Sequence, residues 1–189
     1  MDGVLFKVLD AGGKPCNGGS GTWSLPHGKR PGKWMPPITP VVPCERGYHL
    51  CRPQDLLRWW TGSHVYLAEA RGDVVIHADS KAVASEARLV RLVNDTRDRT
   101  LRLLACDYAE HVLPLFERER PHDSRSRDAI AASRRFAYGE CLDQTLLDAA
   151  WAAAWAAAWA ARDAAGAVAR AAEYKWQTER LLDRLNITQ

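Results

Sequence analysis

Three cysteines and a histidine in the first 51 residues are the side chains best suited to metal binding or nucleophilic chemistry. Cys44, His49 and Cys51 lie close together in sequence, and Cys16 precedes them in a loop. Zinc sites usually draw such ligands from motifs like Cys-x-x-Cys, and that spacing is absent. The sequence therefore predicts no metal, with these four residues as the alternative site, and no motif marks Cys51 as a catalytic nucleophile.

A second chemical feature is a basic stretch within residues 12–43, a segment with the glycine and proline content of a long loop. Its cations are interleaved with glycine and an aromatic ring, which could hold a phosphate, a nucleotide or a nucleic acid. The alternative is a solvated loop fixed by its tryptophans. The candidate ligand-binding residues are His27, Lys29, Arg30, Lys33 and Trp34.

Two glutamates fall in or beside strand-like segments, where a buried carboxylate would need an explanation. Glu69 or Glu86 could act as a general base or bind a ribose hydroxyl, and exposure at a sheet edge is the alternative for each. Lys7, Tyr48 and His49 complete the set of catalytic candidates. Because the chain has neither a P-loop nor a Gly-x-Gly-x-x-Gly motif, these residues leave open whether the protein is an enzyme.

The elements that must position these residues are mostly strands. Apolar and β-branched runs predict strands at residues 4–9, 44–51, 64–71, 73–77 and 87–93. Arg71-Gly72-Asp73 is the predicted turn between the third and fourth strands. Short helices are expected at residues 53–60, where Pro53 suits a first turn, and at residues 80–85.

From about Asn94 onward the pattern predicts helices alone. One helix should begin near residues 94–96 and run to about 112, where Pro114 kinks or ends it; others should cover about 124–138 and 167–185. Trp151, Trp155 and Trp159 recur every four residues between alanines, which predicts a helix with one aromatic ridge. That ridge is either a core face or an interface, and a homodimer would form through it if it were exposed.

These elements predict an α+β fold, with a small strand-rich domain (1–93, including the loop 12–43) packed on an all-helical, alanine- and tryptophan-rich domain (94–189). Residues 1–93 hold 12 Lys/Arg and 8 Asp/Glu, and residues 94–189 hold 14 and 15, so an anionic ligand would favour the first half. Without an apolar run of membrane length, a secretory signal or a disulfide pattern, a cytoplasmic protein is expected.

Two stretches resemble known families. Gly47-Tyr-His-Leu-Cys51-x-Pro53-x-Asp55-x-Leu57, together with Ala68-Glu69, Gly72 and Asp79-Ser80-Lys81, resembles an uncharacterised domain of phage and mobile-element proteins. The chain from about Cys106 resembles an immunity-protein domain of polymorphic toxin systems. The second resemblance implies protein–protein binding, so a non-enzymatic accessory or immunity-like protein with a protein partner and no cofactor is the leading hypothesis.

The order of parts in the first half is also similar to that of ADP-ribosyltransferases, which bind a nicotinamide dinucleotide in a split sheet. That resemblance implies NAD as the alternative cofactor, with Lys7, Tyr48, His49 and Glu86 as the nearest matching residues. The Ser-Thr-Ser strand and the Glu-x-Glu motif of that family are absent. The alternatives to the leading hypothesis are therefore a nucleotide-using enzyme that acts on protein or nucleic acid, and a nucleic-acid-binding module.

Overall fold

The structure is a computed structural model that describes residues 4–61, 64–77, 81–94, 97–140 and 167–187. These residues form both strands and helices, so the described part of the chain is α+β. The chain divides into two compact units: unit 1 comprises Met1–Arg97 and Leu185–Gln189, and unit 2 comprises Asp98–Arg184. The domain boundary near Asn94, and the packing of one domain on the other, stay predictions.

Unit 1 is built on an antiparallel sheet. Its strands are β1 (Leu5–Leu9), β2 (Tyr48–Leu50), β3 (His64–His77) and β4 (Lys81–Asn94), in the spatial order β1-β3-β4-β2. The two edge strands also meet, because Phe6 and Cys51 exchange both backbone hydrogen bonds at 2.8 Å. The sheet therefore curls until its edges touch. Its buried core is formed by Leu9, Trp23, Leu50, Tyr66, Ala68, Ala82, Ala87 and Leu89.

The predicted turn at Arg71-Gly72-Asp73 is wrong, because β3 runs through it as one strand. The pairing with β4 shifts between Arg71 and Val74, which is a β-bulge. Ser85 of β4 fills the bulge, with its Oγ accepting from the Asp73 N–H at 3.0 Å and donating to the Arg71 carbonyl at 3.3 Å. Gly72 has φ +73°, a value that glycine supplies equally well in a turn or a bulge.

The predicted helix at residues 80–85 is also wrong, since these residues belong to β4. Ala82, Val83 and Ala84 are all fully buried. A strand covered on both faces loses the polar–apolar alternation by which strands are usually recognised, and its alanines then read as helix formers. After β2, the predicted helix is a 3-10 turn at Pro53–Asp55 followed by the short helix α1 (Leu56–Trp59).

The described part of unit 2 consists of helices. They are α2 (Arg97–Glu119), α3 (Arg125–Ala137) and α4 (Ala167–Arg184), and the last two agree with the predicted positions. The predicted end of α2 at Pro114 is wrong, because the helix continues to Glu119. Pro114 and Glu110 are both exposed, so water can satisfy the Glu110 carbonyl that the proline leaves without an N–H. The predicted tryptophan ridge lies outside the described residues.

Candidate functional site

The loop 12–43 is fixed along the free edge of β4, where it continues the edge that β2 covers. Three backbone N–H groups of the loop donate to β4 carbonyls at 2.8–2.9 Å: Gly32 to Leu89, Met35 to Ala87 and Ile38 to Ser85. At Gly32 a Cβ atom would lie 1.9 Å from the Ser24 carbonyl oxygen, so a larger residue at this position would clash with the backbone of the loop itself. The loop therefore acts structurally as an edge cover.

The predicted ligand-binding residues of this loop do not form one enclosed site. His27 and Arg30 exchange backbone hydrogen bonds of 3.0 Å across a tight turn, and the side chains of Lys29, Arg30 and Lys33 are exposed. The ring of Trp34 is half-buried and already has two guanidinium partners. Arg71 and Arg88 of the sheet lie 4.2 and 4.7 Å from its centroid.

The two candidate glutamates are paired with the same two arginines. Glu86 accepts from Arg71 Nε at 3.0 Å, and Glu69 accepts from Arg88 Nε at 2.7 Å. The glutamates thus belong to a ladder of ion pairs and ring contacts around Trp34. One oxygen of each carboxylate is thus already bound by a guanidinium group.

The other candidates mostly line one cleft of unit 1, with a volume of about 320 Å³. Lys7, Cys16, Cys44, His49 and Cys51 all lie on its wall. Tyr48 does not line it: its hydroxyl donates to the Pro36 carbonyl at 2.7 Å, and its ring packs edge-on against Trp23 at 5.4 Å. Glu86 does not line it either. The structure therefore joins two of the four residues that an NAD site would need, Lys7 and His49.

The side chain of His49 is hydrogen-bonded to the backbone of the residues that precede β2. Its Nε2 accepts from the Cys44 N–H at 3.0 Å, and it is hydrogen-bonded to the backbone of Gly47. Burial lowers the pKa of His49, and the positive charges of Lys81 and Lys7 lower it further. The neutral ring holds Cys44 at φ +71°, a left-handed conformation that is unusual for a residue other than glycine. Within the described residues, no group of three His, Cys, Asp or Glu side chains could hold a metal ion.

The remaining reactive groups of the cleft are a lysine and two thiols. The Lys7 ammonium donates to the His49 carbonyl at 2.9 Å, and burial lowers its pKa from 10.5 to about 8. Burial raises the pKa of Cys51 to about 12 and also raises that of Cys16. Both thiols are therefore protonated at neutral pH, and a protonated thiol is a weak nucleophile.

Unit 2 contains a buried carboxylate that the sequence analysis missed. Asp107 of α2 is 4% exposed and accepts from three arginines at 2.7–2.9 Å. Arg134 comes from α3, whereas Arg180 and Arg184 come from α4, so one carboxylate ties three helices together. The available signal was an aspartate within a run of seven buried residues, 103–109, where a charge requires partners.

Beside Asp107, a groove of about 360 Å³ runs between α2 and α4. Its aromatic floor is Trp176, against which the His111 ring stacks at 3.8 Å; His111 also lies 3.1 Å from Glu173. Exposed carboxylates form its rim, and Arg180 is its basic residue, already bonded to Asp107. The lining residues are Asp107, Glu110, His111, Trp176, Glu179, Arg180 and Asp183.

Comparison with known proteins gives one finding about this half of the chain. Residues 91–182 match the family model described as "Imm-5 like putative immunity protein". We call residues 91–182 the immunity-like segment; it covers α2, α3 and most of α4. Neither a curated protein nor a solved structure matches the chain. Among the described residues, no helix is both long and apolar enough to cross a membrane.

Proposed function

We propose that this protein is a non-enzymatic, immunity-like accessory protein that acts by binding a protein partner through the groove between α2 and α4. The observation that carries the proposal is that the immunity-like segment contains every lining residue of the groove except Asp183. The match points to an immunity role, and the groove is a concave surface in the described part of that segment, with an aromatic centre and a charged rim. Such a surface suits protein recognition.

The chemistry of the groove defines the partner. Glu179 and Asp183 place two exposed carboxylates on the rim, and a third, Glu110, is paired with Arg134. Their field favours a protein that presents lysines or arginines around a side chain able to contact Trp176. A partner with a basic face therefore fits this surface, and its association should weaken as salt concentration rises.

The cleft of unit 1 supports the non-enzymatic part of the proposal. Catalysis by a nucleophile requires an activated group beside a free base. Here Cys51 is protonated, and His49 holds the Cys44 N–H on the nitrogen that a base would use. Glu69 and Glu86 are bound by arginines.

The alternatives stay predictions with their own tests. NAD binding would raise the melting temperature of the purified protein, and nucleic-acid binding through Lys29, Arg30 and Lys33 would fall steeply with salt. The phage or mobile-element origin implied by the resemblance of residues 1–93 is a further part of the proposal. A homodimer through the tryptophan ridge would depend on residues outside those described.

Affinity capture with paired variants tests the proposal. The groove variant is Glu179→Lys/Asp183→Lys, which reverses two exposed charges on the rim. Its control is Asp73→Lys/Glu140→Lys, which makes the same change of charge at exposed acids outside the groove. Wild type and control should enrich the same basic protein from cells of the source organism, and the groove variant should not. If all three chains enrich it equally, the groove is not the binding surface.

A further inference from the structure

The cleft of unit 1 has the size and the wall of a small-molecule site. Its volume of about 320 Å³ lies at the lower end of the range for ligand pockets. Most of its lining comes from β1, from β2 with the following Cys51, from residues 15–19 of the loop and from residues 44–47 before β2. The aromatic ring of Trp59 and the side chain of Lys81 close one side.

The wall is rich in basic groups. The lining contains three basic residues, Lys7, His49 and Lys81, and one acidic residue, Glu45. The Lys81 ammonium lies 5.1 Å from the centroid of Trp59, and the Lys7 ammonium lies 5.0 Å from that of Trp23. An ammonium group has three N–H donors, so each lysine can make further hydrogen bonds beside its ring contact; Lys7 uses one donor on the His49 carbonyl.

The positive charges of both lysines influence two other lining residues of the cleft, His49 and Cys51. Burial lowers the pKa of His49, and the charges of Lys81 and Lys7 add to that effect. Burial raises the pKa of Cys51, and the charges of the same two lysines oppose that rise. Two side chains that line the cleft thus experience positive charge from both ammonium groups.

We propose that this cleft binds the phosphate group of a small molecule, with Lys7 and Lys81 as its cationic contacts and Trp59 beside its organic part. A phosphate group is a dianion and can accept hydrogen bonds from two ammonium groups at once, whereas a carboxylate carries half that charge. The volume admits a molecule up to about the size of a mononucleotide. This site lies within unit 1 and does not depend on the proposed function of unit 2.

Calorimetric titration of the 189-residue chain tests the site with three probes: inorganic phosphate, adenosine monophosphate and acetate. Saturable binding of a phosphate probe is expected, and Lys81→Gln should weaken it at least about tenfold, since a charge-assisted hydrogen bond is lost. Lys175→Gln is the control, because it removes the same charge from an exposed position of α4, outside unit 1. Tighter binding of the nucleotide would identify a phosphate ester, and equal binding would identify free phosphate.

A second measurement on the unmodified protein guards against misfolding of the variant. Phosphate affinity should fall as the pH rises past the Lys7 pKa of about 8, because the neutral amine no longer attracts the anion. The proposal is overturned if no phosphate probe binds saturably. It is also overturned if acetate binds as tightly, if Lys175→Gln weakens binding as much as Lys81→Gln, or if affinity is constant through this pH range.

Discussion

The carboxylate of Asp107 accepts hydrogen bonds from Arg134, Arg180 and Arg184, and is itself almost inaccessible to water. A charge taken out of water in this way is tolerated because all three partners supply N–H donors to its two oxygens. Removing the carboxylate leaves three guanidinium groups in mutual repulsion. This side chain therefore contributes to the relative placement of the described helices α2, α3 and α4.

Replacement of Asp107 by asparagine tests this contribution without a change in size. We expect the free energy of unfolding to fall by roughly 3 kcal/mol, the lower end for a broken buried pair, because the three arginines are partly exposed. Urea denaturation measures it. Asp183→Asn, at an exposed acid on α4, is the matched control and should stay within about 0.5 kcal/mol of wild type. Equal losses in the two variants would contradict the role of Asp107.

Burial of the Lys7 ammonium group makes the stability of the protein depend on pH. Its pKa is about 8 in the folded protein against 10.5 in the unfolded chain. Between these values the unfolded state binds more protons, so the contribution of Lys7 to stability rises with pH. Cys51 acts in the opposite sense: its pKa rises from 9.0 to about 12, and its contribution is lost as the pH rises above 9.

Comparison with Lys7→Met separates the two effects, since Cys51 contributes to both proteins. The stability of wild type relative to Lys7→Met should increase by about 2 kcal/mol between pH 7 and pH 10.5, given about 1.4 kcal/mol per unit of pKa difference and incomplete burial. Denaturation at a series of pH values measures it. Lys14→Met, at an exposed lysine, should show a flat difference, and a flat difference for Lys7→Met would refute the assigned pKa.

At the scale of elements, the structure of the loop 12–43 depends on the close contact between Gly32 and the Ser24 backbone. Gly32 lies against the Ser24 carbonyl and donates to Leu89 of β4. Gly32→Ala should destabilise the protein by about 1–3 kcal/mol, because the backbone atoms of Ser24 cannot rotate away from the new methyl group. The readout is chemical denaturation followed by tryptophan fluorescence.

Gly21→Ala is the control within the same loop. At Gly21 the nearest atom to an added Cβ is the Met35 methyl carbon at 4.0 Å, which is an ordinary contact. Its stability should therefore stay within about 0.5 kcal/mol of wild type. If Gly32→Ala is equally harmless, the loop does not hold the edge of β4 in the way described.

The elements that the sequence predicts well are those with a clear period or a clear stop. Strand β1, helix α3 and helix α4 lie where their apolar patterns placed them. The errors come from tertiary contacts. Residues 71–73 form a bulge and not the predicted turn, because Ser85 of β4 hydrogen-bonds across to β3. Ala82 and Ala84 resemble helix formers in sequence because β4 is buried on both faces there.

The candidate sites show the same limit. The cysteines and His49 could be grouped because they are close in sequence, and they do line one cleft. The partners of Asp107 lie 27 to 77 residues away along the chain, so no local pattern links them. From the sequence, Glu69 and Glu86 are catalytic candidates because it does not show which residues face them. Their arginine partners on the neighbouring strand become visible only once the β3–β4 register is known.

At the scale of the whole molecule, the sequence predicts the change from strands to helices near Asn94, where β4 ends and α2 follows from Arg97. It does not predict to which unit the last residues belong. Leu185 and Ile187 are buried, and residues Leu185–Gln189 cluster with unit 1 instead of ending the helical unit. In sequence they look like the apolar end of any helix. The immunity-like segment stops at residue 182, just before this return, which is consistent with α4 belonging to unit 2.

The central claim is that the groove between α2 and α4 binds a basic protein partner. Calorimetric titration of the captured partner into wild type, Glu179→Lys/Asp183→Lys and Asp73→Lys/Glu140→Lys measures it most directly. We predict at least about tenfold weaker binding for the groove variant, with wild-type affinity for the control, since like charges across an interface are strongly unfavourable. Equal affinity for all three proteins, or an effect confined to the control, would contradict the claim.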